Sequence, residues 1–304
     1  MIAGDDELMR VLNRVEHPPE PNVLFAGVQF IMMRDGGADL ECHYPNFAPD
    51  APVEGVAGPF REFVLANEEE LAEIGRTRYT QTNECRRCVA LLPCIWMTDL
   101  DRFHLIDLGS SAGLNLLVDR YHYRWGDLTW GREGSAVSLA TECKGSAPRP
   151  REIEILSRTG IDRHPLNASD PGDRDWLLAL IWPEHHERRE RLRAALAMAA
   201  TADIDLVAGD ASALLAPTLD GLPPGEAAVV MHSFVLNQFH PSARGQVDQI
   251  LEDSRSHRRV HRVSMEALDA HESAAALSID VGDGLREVGR AQPHGEWLEL
   301  YALP

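Results

Sequence analysis

Leu105-Ile-Asp107-Leu-Gly109-Ser110-Ser111-Ala-Gly113-Leu-Asn115 is the stretch whose reading decides the fold. A short apolar run ends in a carboxylate, and small residues follow at once. That is the composition of a strand turning tightly into a helix, here expected over 113–120. Glycines and serines let the chain reverse and let a ligand approach the backbone. The first N–H groups of the helix would then face that ligand. The spacing excludes the G-x-G-x-x-G dinucleotide fingerprint: counted from Gly109, its other glycines fall on Ser111 and Leu114. Hydride chemistry on a nicotinamide is therefore disfavoured.

Outward from this turn the chain keeps one rhythm. Short apolar runs at Phe103–Asp107, Ala202–Asp210, Ala227–His232 and Arg259–Ser264 alternate with helical stretches at 173–199 (broken at Pro183), 211–219 and 242–256. Such alternation predicts a mostly parallel sheet with helices on both faces. Ala275–Val281 and Glu296–Ala302 read as a closing antiparallel hairpin across a Gly/Pro turn region. Tyr121, Tyr123 and Trp125, then Val137, Leu139 and Thr141, alternate at period two, so a β-hairpin is expected to be inserted at about 121–156. Its aromatics are read as core. Residues 1–100 read as helical. Leu8, Val11, Leu12 and Val15 make a helix that stops at His17-Pro18-Pro19. Further helices are expected at 23–33, 60–74 and 82–97, the last broken or kinked at Pro93, with a loop over 43–59. Two domains follow: residues 1–100 as a helical cap or lid, and residues 101–304 as the sheet domain.

Composition removes whole classes of function. The 304 residues carry a formal charge of −19, which repels phosphate backbones, so nucleic acid is not an expected partner. No apolar run approaches the ~18 residues of a membrane span. The acidic start lacks the apolar core of a secretory signal, so a cytoplasmic protein without a membrane partner is expected. Lys144 is the single lysine, and no G-x-x-x-x precedes it. A phosphate-binding P-loop is thereby excluded, and lysine-based covalent catalysis nearly so. The five cysteines share no framework spacing, and Cys85-Arg-Arg-Cys88 stands alone without a second pair. The thirteen histidines include no H-E-x-x-H, so no metal site is expected.

Asp107 two residues before Gly109, with Gly113 beyond, resembles the D-x-G-x-G-x-G turn of class I S-adenosylmethionine-dependent methyltransferases, with Ser111 replacing the middle glycine. The later landmarks come in that family's order. Gly160-Ile-Asp162 resembles the second-strand ending, whose acid meets the ribose. Gly209-Asp210-Ala211 resembles the third-strand ending near adenine. Val229-Val-Met-His232-Ser233 resembles the fourth strand, the floor beneath the sulfur. The resemblance implies a Rossmann-like, seven-stranded α/β sheet ending in an antiparallel hairpin, with S-adenosylmethionine as cofactor. Asp107, Gly109, Ser110, Ser111, Gly113, Asn115, Asp162, Asp210, Ala211, His232 and Ser233 would bind it, with Glu142 the rival of Asp162. At finer grain, Thr82-Asn83-Glu84-Cys-Arg-Arg-Cys, residues 109–121, Arg158-Thr-Gly-Ile-Asp162 and Gly289–Trp297 together resemble the bacterial family known as domain of unknown function 2332.

The chemistry this implies signposts few catalytic residues, because a sulfonium methyl leaves readily once a nucleophile is aligned. The (D/N/S)-P-P-(Y/F) signature of amine methylation on nucleic acids is replaced by His232-Ser-Phe-Val. A small polar substrate is the better expectation, with a homodimer left open. Glu84 is the candidate base or ammonium binder, Tyr79 and Asn83 the candidate orienters, and His232 a further candidate. Thr82-Asn83-Glu84 could equally cap the next helix. Two other readings stand beside methyl transfer: S-adenosylmethionine consumed as the substrate with release of methylthioadenosine, and a non-catalytic sensor or scaffold.

Overall fold

A computed structural model describes residues 2–14, 21–52, 54–268 and 273–301. Val15, His17-Pro18-Pro19 and Ala302, used above, lie outside the described residues. In chain order the helices are α1 (Asp6–Asn13), α2 (Pro21–Asp35), α3 (Ala57–Ala66), α4 (Glu68–Thr77), α5 (Cys88–Trp96), α6 (Pro171–Ala179), α7 (His186–Ala199), α8 (Ala211–Asp220) and α9 (Pro241–Arg255). The strands are β1 (Arg102–Leu108), β2 (His122–Trp125), β3 (Leu128–Gly131), β4 (Ser138–Gly145), β5 (Glu154–Asp162), β6 (Asp205–Ala208), β7 (Ala228–Ser233), β8 (Val260–Ala267), β9 (Ala275–Asp280), β10 (Arg286–Ala291) and β11 (Trp297–Leu300). Two compact units contain them, Met1–Asn83 with Ala168–Arg193, and Glu84–Asn167 with Ala194–Pro304.

The first unit is helical and organised around α2, most of which is buried. α4 and α6 pack on it, and α1 packs on α3 and α4. The Asp5 carboxylate accepts the N–H groups of Glu7 (3.0 Å) and Leu8 (3.1 Å) and so starts α1. The single helix expected over 60–74 is two, because Asn67 interrupts it. Its side-chain amide donates to Phe63 O at 2.8 Å, competing with the backbone as asparagine does at helix ends. Beyond the end of α6, Gln29 Nε2 donates to the carbonyls of Ala179 (2.9 Å) and Ile181 (3.0 Å), and Arg189 donates to Gln29 and Ile181. The negative end of the helix thus offsets the charge of a guanidinium that burial drives down to about 10.

The second unit holds one eleven-stranded sheet of order β3-β2-β4-β11-β10-β9-β8-β7-β1-β5-β6. Seven strands were expected. The surplus is β2, β3, β4 and β10. β2 and β3 form an antiparallel hairpin inside the expected insertion, but it continues the sheet through β4, which runs parallel to both β2 and β11. The closing hairpin is in fact a three-stranded meander, β9-β10-β11. β10 hides in the sequence because Arg286, Glu287 and Arg290 dilute its apolar face. It also needs Gly289, where a Cβ would lie 2.4 Å from Glu299 O. β6, β5, β1, β7 and β8 pair in parallel, as the rhythm predicts for all but β5, whose end at Asp162 the resemblance supplied.

One face of this parallel block carries α8 and α9. Ile106, Leu108, Ile161, Leu215, Val230, Val247 and Leu251 form its core. α5, wholly buried, packs on β8, β9, β4 and β2 and belongs to the sheet unit. Pro93 sits inside α5 without ending it. A proline at 93 cannot donate to Val89 O, and the Trp125 indole N–H donates there instead at 2.8 Å. The aromatics of β2 are core, as read: Tyr123 and Trp125 stack at 5.1 Å. Among the described residues no helix is long and apolar enough to cross a membrane.

Candidate functional site

From β1 the chain places β5 and β6 on one side and β7 and β8 on the other. Such a switch point opens a crevice beyond the carboxyl ends of the strands. Asp107 lies at that end, and the turn follows. Gly109 has φ +71°, and a Cβ there would lie 2.4 Å from Val235 Cγ2, so only glycine fits. Ser111, where the resemblance puts glycine, holds φ +49°. This left-handed backbone costs roughly 1–2 kcal/mol. A hydrogen bond offsets it: Ser111 N–H donates to Asp162 Oδ2 at 2.8 Å. The Gly109 amide donates to Ile161 O and the Gly113 amide to Ser110 O, both at 2.8 Å. The helix expected over 113–120 is only a 3-10 turn, Leu114–Leu117. Its N–H groups make no helical anion site, because Tyr121 and the strand β2 follow too soon. The Tyr121 hydroxyl clamps the turn through Leu114 O at 2.7 Å.

Asp107 is 2% exposed, and its Oδ2 has no hydrogen-bond partner; nor does the buried hydroxyl of Ser110. Burial and then the Asp162 charge push the Asp107 carboxyl well above the usual carboxylate range, and the Arg87 charge partly counters them. Asp162 also accepts His164 N–H at 2.8 Å. Glu142 lies on β4, separated from β1 by β11, β10, β9, β8 and β7, so the rival of Asp162 is far from the turn. Asp210 caps α8, accepting Ser212 N–H at 2.9 Å, and meets Arg163 at 2.6 Å. The bond from Ser212, then that from Arg163, holds its carboxyl below the usual range. Ala211, the first residue of α8, is buried behind it.

At the end of β7 His232 is buried and bonded at both ring nitrogens. Nδ1 lies 2.6 Å from Glu266 Oε1, and Arg262 Nε donates to Nε2 at 2.9 Å. An arginine can only donate, so Nε2 carries no proton and Nδ1–H donates to Glu266. Arg262 is held in turn by Asp248 at 2.7 Å. Glu266 also accepts the N–H groups of Val235 (3.2 Å), Leu236 (3.2 Å) and Asn237 (3.3 Å). Burial lowers the His232 pKa below its ordinary value despite Glu266. Offered by the sequence as a catalytic and cofactor candidate, the ring is a neutral strut that fixes the loop after β7.

Ser233 Oγ meets Arg87 Nη1 at 3.3 Å and Asn115 Nδ2 at 3.5 Å. Arg87 also lies 4.4 Å over the Phe234 ring and donates to Pro293 O at 3.0 Å. Sequence reasoning passed over Arg87, Arg262 and Glu266. Arg87 was hidden inside the C-x-x-C, whose cysteines are both buried in the described fold. Glu84 is the cap of the 3-10 turn Cys85–Arg87, accepting Arg86 N–H at 3.0 Å. It is buried and starts the segment that carries Arg87. Tyr79 and Asn83 belong to the helical unit, where the Tyr79 carbonyl accepts the Trp176 indole N–H at 3.1 Å. Among the described residues no three His, Cys, Asp or Glu side chains gather as metal ligands.

This is a mixed α/β protein in which acids gather at the carboxyl ends of parallel strands, Asp107 buried and Asp162 and Asp210 half-buried. The chain belongs to a bacterial family described as "Uncharacterized protein conserved in bacteria" (DUF2332), whose model matches residues 1–300. No curated protein matches it.

Proposed function

We propose that the chain is an S-adenosylmethionine-dependent methyltransferase of Rossmann-like type acting on a small polar molecule. The observation that carries this reading is the polar character of the β1 turn. The amides of Gly109, Ser111 and Gly113 are bonded within the protein, whereas Asp107 Oδ2 and Ser110 Oγ are buried oxygens without partners. A turn with those amides engaged is a poor cradle for a diphosphate. Free acceptor oxygens suit a ligand rich in hydroxyl and ammonium donors, which a sulfonium nucleoside is.

Asp107 and Ser110 would take the methionyl ammonium end. Asp162 keeps lone pairs beyond the two amides it accepts and would take the ribose hydroxyls. The Asp210 carboxylate is bonded already, so the adenine edge would meet the backbone at Ala211. Ser233, Asn115 and Arg87, bonded to one another, would line the floor of the ligand crevice. Bound S-adenosylmethionine supplies an activated methyl group; the chain's own part is to align the acceptor and exclude water. Neither His232 nor Glu84 is free to act as a base in this arrangement, and methyl transfer to a good nucleophile needs none. The charge of −19 argues against a nucleic-acid acceptor.

Calorimetric titration with S-adenosylmethionine tests this. Wild-type protein should bind, Asp162→Ala should weaken binding by about 1–3 kcal/mol, and Glu142→Ala should change nothing. No heat at millimolar ligand rejects the reading. Release of methylthioadenosine without an acceptor would replace it with chemistry on the cofactor itself.

A further inference from the structure

The N-terminal half of β1 carries a second polar group that the turn does not use. His104 is buried, with Nδ1 2.7 Å from Ser157 Oγ and Nε2 2.6 Å from Glu226 Oε2. The hydrogen bond from His104 holds the Glu226 carboxyl below its ordinary range, so it is an ionised acceptor. Nε2 therefore carries the proton, Nδ1 offers its lone pair, and the Ser157 hydroxyl donates to it. The backbone is shaped to permit this. β1 pairs Phe103 with Ile155 but Leu105 with Arg158, so Leu156 and Ser157 together face His104 across a β-bulge. Bulges redirect side chains and recur beside active sites. β6 pairs with β5 only from Thr159 onward, which leaves the outer edge at Ser157 uncovered by a strand. Ser157 itself is partly exposed, whereas the imidazole behind it is not.

We propose that Ser157 is an activated nucleophile, and that Ser157, His104 and Glu226 form a second reactive site that takes small acyl esters. A hydroxyl, an imidazole and a carboxylate joined in that order are the parts of acyl transfer, whatever fold carries them. Ser157 Oγ bonds to the acyl carbon as its proton passes to His104 Nδ1, and Glu226 stabilises the imidazolium through Nε2–H. The ester C–O bond breaks, and the leaving oxygen takes the proton from Nδ1. Water, deprotonated by the same nitrogen, then releases the carboxylic acid and restores the serine. A purely structural tie between the strands would need neither a solvent-reachable hydroxyl nor a bulge. The site is distinct from the β1 turn: His104 and Asp107 lie roughly 10 Å apart along the strand and on opposite faces of the sheet.

Reaction of the full chain with a fluorophosphonate probe, followed by peptide mapping, tests this. The expected result is one adduct, on Ser157, absent in Ser157→Ala. Its rate should fall ~100-fold in His104→Gln, and several-fold in Glu226→Gln. An unlabelled Ser157 in the wild-type chain, or an equal rate in His104→Gln, overturns the proposal. If His104→Gln fails to fold, Glu226→Gln decides: a labelling rate equal to that of the wild type overturns the proposal.

Discussion

The ends of β1 and β7 lie side by side in one sheet, and they treat buried polar groups in opposite ways. At β7, Asp248, Arg262, His232 and Glu266 form an unbroken chain, with donors matched to acceptors and three backbone amides closing the far end. At β1, Asp107 and Ser110 are buried as His232 and Arg262 are, yet each leaves an oxygen unpaired. A satisfied network stabilises one arrangement of the chain. An unsatisfied one destabilises it, and persists where a ligand completes it. On that difference rests the proposal that the first cluster is scaffold and the second is site. Gly109 joins them, because the loop that Glu266 holds presents Val235 to the face of the glycine that has no side chain.

The largest effect expected is at the satisfied end. Glu266→Ala removes the acceptor of His232 Nδ1–H and of the amides of Val235, Leu236 and Asn237. Leaving the ring N–H and the three amides unmet should cost more than ~3 kcal/mol in total, at about 1–3 kcal/mol for each unmatched buried donor. Glu266→Gln, which keeps an acceptor oxygen, should cost clearly less. Chemical denaturation measures both. A loss below ~1 kcal/mol in Glu266→Ala would mean the relay is not a strut, and the contrast with β1 would collapse.

A smaller effect sharpens the same rule inside α5. Pro93 frees the Val89 carbonyl and Trp125 satisfies it. Trp125→Phe keeps the aromatic stack but orphans that oxygen, for about 1–3 kcal/mol. An unchanged midpoint would show that a buried carbonyl is tolerated alone here. Unpaired oxygens at β1 would then say less about a ligand.

How much of this was legible follows from which signals are local. The β1 turn was readable because apolar run, acid, glycine and small residues fall consecutively, and the acids at 162 and 210 recur at the ends of similar runs. β10 was not readable, since its outward residues are charged and only Val288 and Ala291 face the core. Nor was the break at Asn67, where a single side chain outweighs an apolar pattern that runs straight through it. The missing helix after Gly113 is a tertiary effect: Tyr121 and Tyr123 fasten the segment through the carbonyls of Leu114 and Val118 before a second helical turn can form. Glu266 and Arg262 gave no signal because their partners come from other elements, and His232 drew notice for a reactivity that those partners remove.

The smallest effect expected has the opposite sign and discriminates most sharply. Asp107 has a folded-state pKa raised by burial first and by Asp162 second. A carboxyl raised on folding contributes its stability fully below the unfolded value near 3.9. That contribution is lost as pH climbs toward the folded value, because the unfolded chain ionises while the folded one holds its proton. Asp107→Asn has the same shape and no titration. It should therefore match the wild type near pH 4 and become more stable than it as pH rises, by on the order of 1 kcal/mol at pH 8. The melting temperature measured across that range reads the difference directly. Binding should move the other way, since the amide cannot offer an ammonium group the same acceptor. A protein made more stable and less able to bind is the expected signature of a site residue. If Asp107→Asn is instead destabilised equally at pH 4 and pH 8, Asp107 is a paired structural group like Glu266, and the two strand ends are alike after all.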